Sequence, residues 1–289
     1  MPAFDTPEPI SATIDITAGT VRISASDRAD TVVEVRPTDP SDTADVRAAE
    51  QTQVECSRGV LLVKAPKNWA RSLFGRGGSI EVTVELPSGS RVDATGDPGD
   101  MLGVGGAEFR SEGRLGDSRF STTSGDIRLD ETGRARLNTA SGRISVARSA
   151  GHADITTSDG EIRIGEIDGS AVLKTSNGDI TLGEVTGDAR LHTASGDIAV
   201  ERALATLVAK TAHGSIRVGE VVRGSVALDT RSGDLEVGIR EGSAAWLDVS
   251  SQYGSVDVPP DAVDGPGEAT ETVEVRARTG FGDILVRRS

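Results

Sequence analysis

The chain has 289 residues, 31 basic against 45 acidic for a formal net charge of −14, and 35 glycines, well above the ~7% of average usage. That acidity opposes binding to a nucleic-acid backbone or an anionic bilayer. A single cysteine, Cys56, excludes an intramolecular disulfide, and His152, His192 and His213 are too scattered for the ordinary zinc patterns. The first residues, MPAFDTPEPI, hold no basic stretch followed by an apolar one, and no apolar run approaches ~18 residues. The expectation is therefore a cytoplasmic protein with no membrane span, reaching a surface only by non-standard export.

In chain order, residues 1–95 are expected as a β-rich N-terminal cap with one short helix. Ile14, Ile16, Gly19, Val21 and Ile23 alternate around a glycine, as do Val54, Cys56, Gly59, Leu61 and Val63. Between them, Ala44, Ala48, Ala49 and Glu50 predict a helix over 41–51 behind a Ser41 or Asp42 cap. The run IEVTVEL at 80–86 is another alternating strand. The intervening segment 64–79 stands apart: it carries Lys64, Lys67, Arg71 and Arg76 with no acid, interleaved with Trp69, Leu73 and Phe74. A glycine-rich loop of that composition either engages a partner or folds its aromatic residues back over the first repeat.

Residues 96–289 are expected as repeats continuous with that cap. TTSGDIRL, TASGRISV, TSDGEIRI, TSNGDITL, TASGDIAV, TAHGSIRV and TRSGDLEV follow one another, anchored on Gly125, Gly142, Gly160, Gly178, Gly196, Gly214 and Gly233. The spacing is about 18 residues, and the looser copies SQYGSVDV and TGFGDILV close the chain. Within a unit, Ile162, Ile164, Ala171 and Leu173 stand at alternate positions, the period of half-buried strands and not of helices. A very short third strand is expected around Ile167 or Val185. No unit buries enough to offset the ordering of its own backbone, so each must stack on its neighbours through parallel strands. An all-β, parallel β-solenoid results, right-handed by the crossover rule. With 36% hydrophobic and only 3% aromatic residues, the core must be thin and lined by small aliphatics.

Two columns follow from the register. The Thr three residues before each anchor shares parity with the buried leucines, so its hydroxyl is expected inward, pairing with a corner backbone group. The position after the anchor, with Asp126, Glu161, Asp179, Asp197 and Asp234, faces outward at ~4.8 Å intervals. Asp179 and Asp197 on adjacent rungs are the best candidate pair for a shared cation or acid–base chemistry. Against that, Arg143 and Ser215 interrupt the column, and Arg128, Arg163 and Arg217 lie two residues along on the same face, where ion pairing is expected. No calcium nonapeptide, nucleophile elbow, phosphate loop or dinucleotide fingerprint is present, so no metal, cofactor or catalytic residue is assigned.

With the TxSGDIxL ladder, IEVTVELPSGSRVD at 80–93 and the closing VEVRARTGFGDILVRRS, the chain resembles a bacterial β-strand-repeat family of unknown function known as "putative adhesins". The resemblance covers essentially the whole chain and implies a solenoid scaffold without known catalytic residues. The leading expectation is a non-enzymatic scaffold for protein–protein interaction or self-assembly. The alternatives are an adhesin-like binder of carbohydrate or cell envelope, and a β-helix enzyme using the surface carboxylates.

Overall fold

The computed structural model describes residues 2–66, 78–96, 106–258 and 271–289, and its chain divides into two compact units, Met1–Ala147 and Arg148–Ser289. Both are built from parallel β-coils of two strands per turn, in the pattern that the glycine-anchored repeat predicts. The turn around Gly178 shows why. Ala171, Leu173, Thr175, Ile180, Leu182 and Val185 are all buried, and the residues between them face outward. At the corner Gly178 has φ +140°, and a Cβ there would lie 2.2 Å from the carbonyl oxygen of Gly160 in the preceding turn. Only glycine permits both that backbone and that approach.

The first unit comprises β1 (Ala3–Asp5), β2 (Ser11–Ile16), β3 (Gly19–Ser26), β4 (Asp30–Pro37), α1 (Thr43–Gln51), β5 (Gln53–Ser57), β6 (Val60–Lys64), β7 (Ile80–Pro87), β8 (Arg91–Gly96), β9 (Ala107–Arg114), β10 (Ser118–Ser124), β11 (Ile127–Thr132), β12 (Ala135–Ser141) and β13 (Ile144–Ser149), in which the units divide. One sheet runs β1-β4-β7-β3-β9-β11 and the other β5-β6-β2-β8-β10-β12. The first 95 residues thus supply parallel strands, with β2 between β6 and β8 and β3 between β7 and β9. They also supply antiparallel closures: β4 on β7, β1 on β4, and β5 on β6. The outermost strands are short, as protected sheet edges are. Helix α1 is capped by Asp42, whose side chain accepts from the Ala44 N–H at 2.7 Å. Its buried Asp45 accepts from the backbone of Asp39 (3.0 Å) and Ser79 (2.7 Å), tying the helix to the approach to β7.

The second unit contains β14 (Ala153–Asp159), β15 (Ile162–Ile167), β16 (Ala171–Lys174), β17 (Ile180–Val185), β18 (Ala189–His192), β19 (Ile198–Ala203), β20 (Leu207–His213), β21 (Ile216–Val221), β22 (Gly224–Ser232), β23 (Leu235–Ile239), β24 (Ser243–Tyr253), β25 (Val256–Asp257), β26 (Glu271–Phe281) and β27 (Ile284–Arg288). Its sheets run β15-β17-β19-β21-β23-β27-β25 and β14-β16-β18-β20-β22-β26-β24. Ile162, Ile180, Ile198, Ile216, Leu235 and Ile284 stack in one inward column, each in register with the next.

Two details depart from the sequence reading. Ile167 and Val185 do not form a third strand. Each ends the strand that begins at Ile162 or Ile180: three residues after Ile164 or Leu182 it would face outward in a regular strand, and the break in the pairing at Gly165 and Gly183 turns it inward. The last two copies also do not stack in chain order. β26 lies between β22 and β24, and β27 between β23 and β25, so the turn of Gly282 sits between those of Gly233 and Gly254. The closing copy brings Val273, Val275, Ala277, Ile284 and Val286, all buried, whereas the copy before it offers a two-residue strand and half-exposed apolar side chains. The richer strand pair takes the interior place.

Candidate interaction surface

The corner after each anchor glycine is where the acidic column lies. Asp179 Oδ1 accepts the backbone N–H of Asp197 at 2.8 Å, and Asp197 Oδ1 accepts that of Ser215 at 2.8 Å. Asp126 does the same for Arg143 (2.9 Å) and Asp234 for Asp283 (2.9 Å). Asp283 takes both the N–H (2.7 Å) and the hydroxyl (2.9 Å) of Ser255, which hold its carboxyl below the ordinary carboxylate range. These carboxylates bind each turn to a backbone amide of the next. Glu161 pairs instead with Arg163 at 2.6 Å, and Asp126 also bonds Arg128 at 3.0 Å. Behind them, the inward threonines close the opposite side of the corner: Thr175, Thr193, Thr211 and Thr230 donate to the carbonyls of Gly160, Gly178, Gly196 and Gly214 at 3.0–3.2 Å.

On the outer face of the sheet containing β15, Arg202 bridges Glu184 and Glu220, each at 3.2 Å. Glu236 sits between Arg217 (2.7 Å) and Arg287 (2.9 Å), and the Arg287 hydrogen bond leads in drawing its carboxyl below the usual range. Among the described residues no cluster of three or more potential metal ligands occurs. The Cys56 thiol is pushed up by burial, away from the reactive thiolate form. An open depression of about 490 Å³ in the first unit is lined by Gly19, Thr20, Ser79, Gly106, Glu108 and Ser124. Of the basic–aromatic segment, Lys64 ends β6 exposed, in register with Asp15 and Gln53. Lys67, Trp69, Arg71, Leu73, Phe74 and Arg76 lie outside the described residues.

Exposed apolar surface collects elsewhere. Of the six large hydrophobic side chains exposed among the described residues, five belong to the last strands of the second unit: Trp246, Tyr253, Val256, Phe281 and Leu285. Trp246 is 76% exposed, and Tyr253 stacks on Phe281 with ring centroids 4.9 Å apart and planes 9° from parallel. These two occupy the position before the anchor glycine, which is Ser124, Ser141, Asp159, Asn177, Ser195, His213 and Ser232 in earlier copies. An aromatic residue replacing a polar one at a fixed repeat position, in a chain with 3% aromatics, was the available sequence signal for this surface.

The model of the Toastrack DUF4097 family matches residues 12–220 and again 183–287. The chain belongs to this family. Its Toastrack fold is the β-solenoid described above. Among curated proteins none matches. Similar solved structures include a "putative adhesin" from Parabacteroides merdae (14% identity, TM-score 0.39) and a "putative lipid binding protein" from Parabacteroides distasonis (12%, 0.40), each covering 100% of this chain and 95% of its own. A "putative adhesin" from Bacteroides fragilis is 11% identical, with TM-score 0.36 and the same coverage. Among the described residues of this Toastrack chain, no helix is long and apolar enough to cross a membrane.

Proposed function

We propose that this Toastrack protein is a non-enzymatic scaffold that binds a protein partner through the last strands of its second unit. The observation that carries the reading is the gathering of Trp246, Tyr253, Val256, Phe281 and Leu285 on the last strands. Single exposed apolar residues are ordinary, but five of the six exposed among the described residues fall on the last strands of one unit, as they would at an interaction surface. Three of the five, Trp246, Tyr253 and Phe281, are aromatic, the class that dominates binding energy where it is buried on association. The non-enzymatic part of the reading is supported by the carboxylate column, in which one oxygen each of Asp126, Asp179, Asp197 and Asp234 accepts a backbone amide of the next turn.

The test is capture of partners from a native lysate by the parent protein and by a Trp246→Glu, Tyr253→Ser variant. Both positions are exposed, so the melting temperature is expected to stay unchanged while the specific partner is lost. A variant that keeps every partner of the parent overturns the reading.

A further inference from the structure

We infer that the partner at this end is a second copy of the chain, joined β24 to β24 about a two-fold axis. The inference rests on the scaffold reading above and names its partner. β24 is an 11-residue strand, outermost in its sheet, and among the described residues nothing pairs with its free side. Its sequence, SAAWLDVSSQY, carries one charge, Asp248, and no proline. Natural edges of this length are blunted by lysines, prolines, bulges or covering elements. The outer strands β1 and β5 of the first unit have only three and five residues. Among the described residues β24 has no such protection, and its inward side chains Leu247 and Val249 remain half-exposed.

The strand's own pattern selects the register. Inward side chains meet inward ones in an antiparallel self-pair only when the two-fold axis passes beside a residue and not between two. An axis at Asp248 would set two carboxylates face to face, which is unfavourable. An axis at Val249 would put Leu247 opposite Ser251 and Ala245 opposite Tyr253. An axis at Leu247 sets Leu247 against itself and Ala245 against Val249, all on the core side. On the outer side it brings Trp246 opposite Asp248 of the second copy. That carboxylate already holds Arg276 and Arg278 at 3.2 Å, so the indole arrives beside two guanidinium groups, its favoured neighbours. The pairing is isologous and self-complementary, and so closes as a dimer.

The experiment is light scattering on the purified full chain, with cysteine cross-linking in a Cys56→Ser background. Opposed residues in an antiparallel pair have Cα atoms about 4.5–5.5 Å apart, within disulfide reach. Leu247→Cys is therefore expected to cross-link into a covalent dimer under mild oxidation. Ser250→Cys, separated from its own copy by about six residues of strand, or ~20 Å, is expected not to. Trp246→Glu, which places a carboxylate opposite Asp248, should weaken the dimer about tenfold or more. Because Trp246 is exposed, that variant tests the interface even if the Leu247 variant fails to fold. A dimer with this cross-link pattern supports the inference. A monomer at all accessible concentrations overturns it, as does a dimer that links at Ser250→Cys or is unaffected by Trp246→Glu. A monomer whose Trp246→Glu, Tyr253→Ser variant loses a heterologous partner leaves the scaffold reading standing and removes only the second copy.

Discussion

Replacing Gly196 by alanine tests how closely the turns of the coil are stacked. Gly196 has φ +146°, and an added Cβ would lie 2.2 Å from the Gly178 carbonyl oxygen and 2.6 Å from its carbon. Real Cβ contacts do not fall below 3.0 Å, so adjacent turns must part by about 0.8 Å at this corner. Three bonds span the same gap: Gly178 N–H to Ser195 O (2.9 Å), Thr193 Oγ1 to Gly178 O (3.1 Å), and Asp197 N–H to Asp179 Oδ1 (2.8 Å). Backbone strain of about 1–3 kcal/mol for a side chain at this φ, and a similar ~1–3 kcal/mol for overpacking, give an expected loss of about 2–6 kcal/mol. Denaturant unfolding measures the loss, and amide hydrogen exchange locates it, with faster exchange expected in β17 and β19. Ser195→Ala, an exposed neighbour, serves as control and should change stability by no more than about 0.5 kcal/mol. A Gly196→Ala loss below about 1 kcal/mol would refute the argument that turn-to-turn approach of glycine backbone sets the stacking distance.

Two further outcomes are expected. Asp197→Ala should destabilise by about 0.5–1 kcal/mol through loss of the bond to the Ser215 amide, while Asp197→Asn, which keeps an accepting oxygen, should recover most of it; urea midpoints of the two variants check this. Glu236 has a folded-state pKa lowered by Arg287 and Arg217, so its contribution is fully present above the ordinary glutamate value of about 4.3 and is lost as pH falls through the depressed folded value. Acid melts should therefore show β23 and β27 loosening below about pH 4 in the parent, with a smaller pH dependence in Glu236→Gln; identical profiles for the two proteins would contradict the assignment.

The features of a single turn were legible in the sequence because each has a local cause. Gly178 marks a backbone that only glycine adopts, Thr175 follows the parity of Leu173, and Ile180 and Leu182 alternate as a half-buried strand must. The helix over Thr43–Gln51 was equally visible in its alanines and Asp42 cap. The order of stacking was not visible, because every copy matches every other in register: Thr279 fits Thr230 as well as it fits Ser251. Which copy becomes the neighbour is decided by how much apolar surface it buries, a comparison between copies and not a property of one. The acidic column follows from the register, but its role depends on a distance that spacing alone cannot supply, the 2.8 Å from Asp179 to the next amide. The exposed aromatic residues are hidden in the sequence for the same reason. Tyr253 and Phe281 belong to successive copies in the chain, and their stacking becomes a surface feature once β24 is known to be outermost.

Hydrogen exchange followed along the whole described chain, on the assembled protein and on its Trp246→Glu variant, tests the central claim most directly. The account predicts that assembly slows exchange most strongly in Ser243–Tyr253 and that the variant abolishes this protection while leaving β15 to β23 unchanged. Protection that falls elsewhere, with Ser243–Tyr253 exchanging equally fast in both proteins, would contradict it.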